Sequence, residues 1–222
     1  MEGYIDMLDV KKISEMEKEI RGRNLELKDF KKENTALVVV DMVNGFVHEG
    51  LLASPRIKSI IKNIADLNKN TQGYKKIFFL DEHGEDSVEY KTHGTHCKRG
   101  TTECELIPEL KESCTDYNNI IMIPKNSTNG FHASLFKKWM EENEDTIESY
   151  IVVGCEADIC VINFVVTLKT YFNEKNMDKR IIVPENSVET YDMGSHDGDL
   201  MKLISLYNMK MNGIEIVDNI II

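Results

Sequence analysis

The chain has 222 residues, 41% of them hydrophobic, which is enough for one sizeable domain with a buried core. Its formal net charge is −11, from 38 acidic and 27 basic residues, and no cluster of lysine and arginine stands beside aromatic residues, so a nucleic-acid partner is not expected. Five cysteines, no signal-peptide pattern and no apolar run near the roughly 20 residues that span a bilayer indicate a cytoplasmic protein with reduced thiols and no membrane contact.

The first segment of the chain differs from the rest in composition. Residues 1–34 are charged and mostly polar, and we predict an N-terminal extension there, followed by one domain at 35–222. Within the extension, Ile13, Met16 and Ile20 recur at helical spacing. This predicts a short amphipathic helix that packs on the domain or on another subunit.

Short apolar runs rich in β-branched residues recur along the domain, and each predicts a strand buried on both faces of a parallel sheet. These runs are 35–40, 76–80, 120–123, 150–153, 180–183 and 213–217. Helical patterns lie between them at 55–70, 132–142, 160–174 and 196–211. The alternation predicts an α/β fold in which helices cover both sides of the sheet.

Polar groups suited to chemistry follow four successive predicted strands. In chain order they are Asp41, then Asp81 with His83, then Lys125, and finally Cys160. The carboxyl ends of the strands in an open parallel sheet form the ligand crevice, so we expect these groups to converge there.

Three of these groups make a chemically sufficient set for a cysteine nucleophile. Cys160 stands where an apolar strand turns into a helix, a position whose dipole favours thiolate. Asp41 can accept the thiol proton, and the Lys125 ammonium can stabilise the thiolate. Taken singly, a turn aspartate, a surface lysine and a buried cysteine would each be ordinary. Together they predict a catalytic triad.

The turn before Cys160 has the sequence GCEADIC, from Gly154 onward. Backbone N–H groups of this turn and of the next helix can face one point and form an oxyanion hole. We expect Asp158 to be the N-cap of that helix and Glu156 to contribute its main chain only.

A second set of groups is suited to a metal ion. Asp81 and His83 are two residues apart on an extended segment, so both side chains point the same way, and His96 from the following polar loop completes a facial set. His93 competes with His96 for the third place. A polar loop in which the histidines bind backbone carbonyls explains the spacing equally well.

With these residues assembled, the chain resembles the isochorismatase-like cysteine hydrolases, and within them the nicotinamidase branch. The matching motifs, in order, are VVVDMVNGF, LDEH, HCKRGT, IPKNSTNGF and GCEADICV. The resemblance implies a three-layer α/β/α sandwich on a six-stranded, mostly parallel sheet. It also implies a homo-oligomer, dimer or tetramer, that hydrolyses a small-molecule amide through a thioester on Cys160.

The resemblance also assigns individual residues. It implies a cis peptide bond between Cys155 and Glu156, with the backbone N–H groups of Glu156 and Cys160 as oxyanion donors, and Phe46 as a substrate-binding aromatic. It implies a divalent metal ion, zinc or else iron or manganese, and no organic cofactor. The catalytic residues would be Asp41, Lys125 and Cys160, and the metal ligands Asp81, His83 and His96.

Three departures from the nicotinamidase pattern bear on the substrate. Val43 and Gly45 stand where that branch usually has glutamine and aspartate, and Glu82 stands where it usually has tryptophan. We expect them to alter the pocket wall, so nicotinamide is the leading substrate among several. The alternatives are a metal-free cysteine hydrolase of another small amide or ureido compound, a metal-dependent hydrolase without covalent catalysis, and a non-catalytic binding protein on the same fold.

Overall fold

A computed structural model describes residues 10–114 and 117–222, and the first nine residues of the predicted N-terminal extension lie outside these ranges. The strands are β1 (Asn24–Glu26), β2 (Thr35–Val40), β3 (Lys75–Asp81), β4 (Ile120–Lys125), β5 (Ser149–Gly154), β6 (Arg180–Pro184), β7 (Glu215–Val217) and β8 (Asn219–Ile221). The helices are α1 (Val10–Ile20), α2 (Asn44–Val47), α3 (Pro55–Lys58), α4 (Ile61–Asn70), α5 (Tyr90–His93), α6 (Pro108–Ser113), α7 (Ser134–Asn143), α8 (Ile162–Glu174) and α9 (Gly198–Met211).

The main sheet has six strands in the order β4-β3-β2-β5-β6-β7, and every neighbouring pair is parallel. Five of the six apolar runs of the sequence lie within one of these strands, and the sixth, 213–217, forms β7 only from Glu215 onward. The predicted three-layer α/β fold is confirmed. Among the described residues, no helix has the length and apolar character needed to cross a membrane.

Helices cover both faces of this sheet, which explains why its strands read as continuous apolar runs. In β2, Ala36 and Val38 face a core that includes Phe136 and Phe164 of α7 and α8. Leu37 and Val39 alternate with them and face the opposite core, which contains residues of α4 and α6. No face of this strand is left for water.

The helical pattern at 55–70 is interrupted in the structure. It forms α3 and α4, because the N–H groups of Ser59 and Ile60 bond three residues back, to Arg56 and Ile57, and tighten the chain between the two helices. The predicted single helix is therefore wrong at this point.

The N-terminal segment is integrated into the domain from α1 onward. Helix α1 packs against α9, and Ile20 at its end lies in the core, as the spacing of Ile13, Met16 and Ile20 indicates. After it, β1 pairs with β8 in a separate two-stranded parallel sheet. Sequence patterns do not reveal this pair, because three residues are too few for a periodicity.

Gly154 ends β5 at the point where the chain enters the turn before Cys160. It has a φ of 117°, and a Cβ atom there would overlap the carbonyl oxygen of Val40 in the neighbouring strand β2. Only glycine fits both the backbone conformation and the close approach.

We predict that Gly154→Ala destabilises the protein by at least ~3 kcal/mol, because strain and overlap act together. Gly84→Ala is the matched control, since a Cβ at that position meets nothing within 4 Å. Denaturant unfolding of both variants measures the difference. A Gly154→Ala protein as stable as the control would contradict this account.

Candidate active site

The predicted catalytic groups converge at the carboxyl edge of the sheet. Asp41 follows β2, Asp81 and Lys125 are the last residues of β3 and β4, and Cys160 follows β5. The strand order β4-β3-β2-β5 makes these four strands neighbours. All four side chains are buried.

Lys125 is the centre of this cluster. Its Nζ lies 2.8 Å from Oδ2 of Asp41, 2.6 Å from Oδ1 of Asp81 and 3.7 Å from Sγ of Cys160. Burial lowers the pKa of Lys125, but the carboxylates of Asp41 and Asp81 outweigh burial and hold that pKa well above its usual value. Lys125 is therefore a buried ammonium ion.

Burial shifts the pKa of both the proposed proton acceptor, Asp41, and the Cys160 thiol. Burial raises the pKa of Asp41 to about 7, against the opposing effect of Lys125. Burial also raises the pKa of the Cys160 thiol well above its usual value, although Lys125 again opposes it. This direction is opposite to the expected resting thiolate, and its largest cause is the desolvation of the buried sulfur. Cys160 rests as a thiol beside a carboxylate matched to neutral pH.

The turn that carries Cys160 differs from a regular helix start. The peptide bond between Cys155 and Glu156 is cis, as the family resemblance implies. A wide π-helical turn follows at Ala157–Val161, in which the N–H of Val161 donates to the carbonyl of Glu156, five residues back. Cys160 lies in this turn, before α8.

Asp158 does not cap a helix, contrary to the sequence prediction. Its Oδ1 accepts a hydrogen bond from the Thr190 hydroxyl at 2.5 Å, and its Oδ2 lies 2.7 Å from Nε2 of His196. The His196 ring stacks on Tyr191, with centroids 4.0 Å apart. Asp158 thus ties the nucleophile turn to the segment at 190–196, and these more distant partners explain why a local capping pattern misleads.

The three predicted metal ligands also meet. The ligand atoms of Asp81, His83 and His96 lie within 4.8 Å of one another, and all three residues are buried. Oδ2 of Asp81 is 2.8 Å from Nε2 of His83 and 3.1 Å from Nε2 of His96. His93 is only half-buried and lies outside this set, so the structure favours His96 over His93.

The tautomer of His96 shows that this set suits a cation. Its Nδ1 is 2.9 Å from the carbonyl oxygen of Gly94, which only accepts, so Nδ1 carries the hydrogen of the neutral ring. The lone pair of Nε2 then faces the carboxylate of Asp81. Two electron-rich atoms are stable at that separation when a proton or a metal ion bridges them. A carbonyl that orients the far nitrogen is the usual outer contact of a ligating histidine.

A cavity opens beside these groups. It is lined by Phe46, Leu52, Asp81, Glu89, His93, His96, Thr128, Glu156, Ile159, Cys160 and Tyr191. Phe46 lies where the resemblance predicts, with its ring centroid 6.0 Å from that of His96. The residues proposed to supply oxyanion N–H groups, Glu156 and Cys160, both line this cavity.

The three departures from the nicotinamidase pattern do not line the cavity, contrary to expectation. Val43 is buried and bridges to Leu106. Gly45 is packed so closely that a Cβ there would lie 2.7 Å from Sγ of Cys97. Glu82 accepts a hydrogen bond from Nε of Arg99 at 2.7 Å. These residues shape the framework behind the site.

The sequence patterns did not point to several residues of the wall. Glu89 accepts a hydrogen bond from the N–H of Thr128 and lies 3.9 Å from Nε2 of His83. Tyr191 and Ile159 supply apolar surface. Asn126 and Ser87 do not line the cavity, but each contacts Nδ1 of the predicted metal ligand His83 at 3.2 Å. Of these, only Asn126 had a sequence signal, because it directly follows Lys125.

Comparison with known proteins identifies the family. A profile described as the Isochorismatase domain matches residues 35–211. The chain belongs to the isochorismatase family. The first match residue is the first residue of β2, and the match extends to the last residue of α9.

Individual relatives agree with this assignment. The chain is 28% identical to Nicotinamidase 1 of Arabidopsis thaliana over an alignment that covers 84% of this chain and 86% of that protein. Among solved structures, N-carbamoylsarcosine amidase from Thermoplasma acidophilum is 25% identical with a TM-score of 0.65, over 84% of this chain and 96% of that one. Nicotinamidase from Bacillus subtilis is 22% identical with a TM-score of 0.69, over 83% and 98%, and supports the fold alone. Family and relatives together support a hydrolase.

The raised pKa of Cys160 predicts how the thiol reacts with iodoacetamide. We expect its alkylation rate to keep rising above the pH at which an ordinary thiol, with a pKa of about 8.5, levels off. Lys125→Met should slow alkylation near neutral pH, because the cation that lowers this pKa is lost. Lys138→Met, on an exposed position of α7, is the control. Peptide-resolved mass spectrometry gives the rates, and equal rates in all three proteins would contradict the prediction.

Proposed function

We propose that the protein is a cysteine-dependent amidohydrolase, nicotinamidase-like, that converts a small aromatic amide into an acid and ammonia through a thioester on Cys160. The observation that supports this most strongly is the placement of one buried ammonium ion, Lys125, against Asp41, Asp81 and Cys160 at the edge of a cavity. The nicotinamidase and amidase relatives support the amide as substrate.

The first half of the reaction forms the thioester. Asp41 accepts the thiol proton of Cys160 as sulfur attacks the amide carbon, and Lys125 stabilises the negative charge that remains between them. The carbonyl oxygen becomes an oxyanion, and the N–H groups of Glu156 and Cys160 donate to it. The proton held by Asp41 then passes to the nitrogen, the carbon–nitrogen bond breaks, and ammonia leaves.

The second half releases the acid. Asp41, again a carboxylate, accepts a proton from a water molecule as its oxygen attacks the thioester carbon. The same N–H groups stabilise the second oxyanion, the carbon–sulfur bond breaks, and Cys160 takes back the proton. A pKa of about 7 suits Asp41 to both directions of proton transfer at neutral pH.

The substrate would be held by the cavity wall. Phe46, Tyr191 and Ile159 offer apolar contacts for a planar ring. Asp81, His83 and His96 would hold a divalent ion, of which zinc suits a set of nitrogen and oxygen ligands. Such an ion would supply Lewis acidity toward a ring nitrogen or a water molecule and would help to orient the amide.

We predict that Cys160→Ala abolishes both ammonia release and the acyl-enzyme. Asp41→Asn and Lys125→Met should each lower kcat by about 10²- to 10⁴-fold, and the double variant should lose little more, because the groups share one task. Cys114→Ala, a buried cysteine near Asn68, is the control. Ammonia release from nicotinamide and intact-protein mass spectrometry provide the measurements. Normal turnover by Cys160→Ala, or fully additive losses, would count against the mechanism.

We predict that protein purified without chelator carries a divalent metal and that His83→Ala loses it. The loss in metal affinity should exceed the roughly 10- to 100-fold that removal of an outer contact costs. KM for the amide should rise, while alkylation of Cys160 continues. Exposed His132→Ala is the control, and elemental analysis with kinetics decides the outcome. Full activity in metal-free protein would leave Asp81, His83 and His96 as hydrogen-bonding residues.

A further inference from the structure

Glu156 has a buried carboxyl group that the proposed mechanism does not use. The residue is 3% exposed and lines the cavity beside Cys160. Both carboxyl oxygens are buried and form no well-directed hydrogen bond with the described residues; the Thr190 hydroxyl is close enough to act on the Glu156 pKa, but it donates its hydrogen to Asp158. Asp41 also has buried oxygens without a hydrogen bond, but it forms an ion pair with Lys125.

The polar groups near Glu156 are engaged elsewhere. The Thr190 hydroxyl donates to Asp158. The basic residues in this region contact other carboxylates: Arg56 contacts Glu189, Asp192 and Asp199, Lys202 contacts Glu189, and His196 contacts Asp158.

The burial of Glu156 and the charged groups around it determine which protonation state of its carboxyl group is favoured. Burial, with the nearby charges of Asp158, Asp41 and Glu189, raises the pKa of Glu156 well above its usual value, although the Thr190 hydroxyl opposes the shift. The shift favours the neutral acid form of Glu156 over the carboxylate. Its carbonyl oxygen can accept a hydrogen bond and its O–H can donate one.

Such a group weakens the fold. A buried polar group without a partner costs about 1–3 kcal/mol, and an apolar side chain of similar size would avoid that cost. Unsatisfied buried groups are few in native proteins and gather where a ligand completes them. A ligand in the cavity is the partner that the position of Glu156 allows.

The rest of the wall limits the charge of that ligand. Asp81, Glu89 and Glu156 are acidic, and no lysine or arginine is among the residues described as lining the cavity. An anionic substrate would face these carboxylates, and the nearest lysine, Lys125, is already paired with Asp41 and Asp81, so the wall favours an uncharged amide.

We infer that Glu156 determines specificity: its side-chain carbonyl oxygen accepts a hydrogen bond from an N–H or O–H donor close to the reacting carbonyl of an uncharged amide. The inference rests on the proposed function, in which the backbone N–H of this same residue faces the carbonyl oxygen of the substrate. Glu156 lines the same cavity as Cys160, which brings its buried carboxyl group into the part of the protein where the amide would bind.

Two compounds of nearly equal shape test this role. Phenylurea carries an N–H beside its carbonyl, and 2-phenylacetamide carries a CH2 group at the same place. On Cys160→Ala protein, calorimetry should show that phenylurea binds about five- to tenfold more tightly, which is the range of one buried hydrogen bond. Equal affinities, or no binding of either compound, would overturn the inference.

Variants of Glu156 test whether this residue causes the preference for phenylurea over 2-phenylacetamide. On the Cys160→Ala background, Glu156→Met should weaken phenylurea binding to the level of 2-phenylacetamide, whose own affinity stays within about twofold. Glu156→Gln keeps a carbonyl acceptor and should keep the preference. Glu142→Ala, on an exposed position of α7, should change neither affinity. A preference that survives Glu156→Met would refute the role.

Two further measurements distinguish a role of Glu156 in specificity from a structural role and from the hydrolysis itself. Glu156→Met should unfold at the same temperature as the parent protein or higher, because it removes an unsatisfied carboxyl. If the unfolding temperature drops by several degrees and the affinities for phenylurea and 2-phenylacetamide fall equally, Glu156 has a structural role. Ammonia release by the unmodified protein tests the proposed reaction separately. If no amide is hydrolysed but the binding preference depends on Glu156, the proposed reaction fails and the role of Glu156 stands.

Discussion

The candidate site depends on one buried positive charge. Transferring an ammonium ion into the protein interior costs several kcal/mol, and the structure offsets this by placing Lys125 between the carboxylates of Asp41 and Asp81. The three residues come from the ends of adjacent strands, so their spacing is fixed by the sheet and not by a loop. Removal of the lysine would leave two buried carboxylates facing each other, and their charges could no longer both persist.

Asp81 connects the two halves of the site. Its Oδ1 contacts Lys125, and its Oδ2 contacts His83 and His96. One carboxylate therefore belongs both to the thiol cluster and to the metal-suited set. A change in charge at His83 or His96 therefore alters the electrostatic environment of Lys125, because Asp81 contacts all three residues.

Much of this arrangement could be predicted from the sequence. Continuous β-branched runs identified the strands of the main sheet. The position of Asp41, Lys125 and Cys160 after these strands predicted that they converge, because parallel strands end at one edge. The cavity wall was harder. Asp158 resembles a local cap, but its partners Thr190 and His196 are more than 30 positions away. Glu156 gave no signal, since its lack of a partner is a property of packing. The expectation that the departures at Val43, Gly45 and Glu82 alter the cavity wall is wrong, because a motif shows which positions differ from the family pattern but not which positions face the ligand.

The pairing of β1 with β8 has a consequence for how the chain is made. A ribosome releases Asn24–Glu26 early, but its hydrogen-bonding strand, Asn219–Ile221, emerges only after all six strands of the main sheet. Until then, β1 has no strand to pair with, and α1 cannot pack against α9, which is also synthesised late. The N-terminal segment can therefore reach its native pairing only after the last strand of the main sheet has been synthesised.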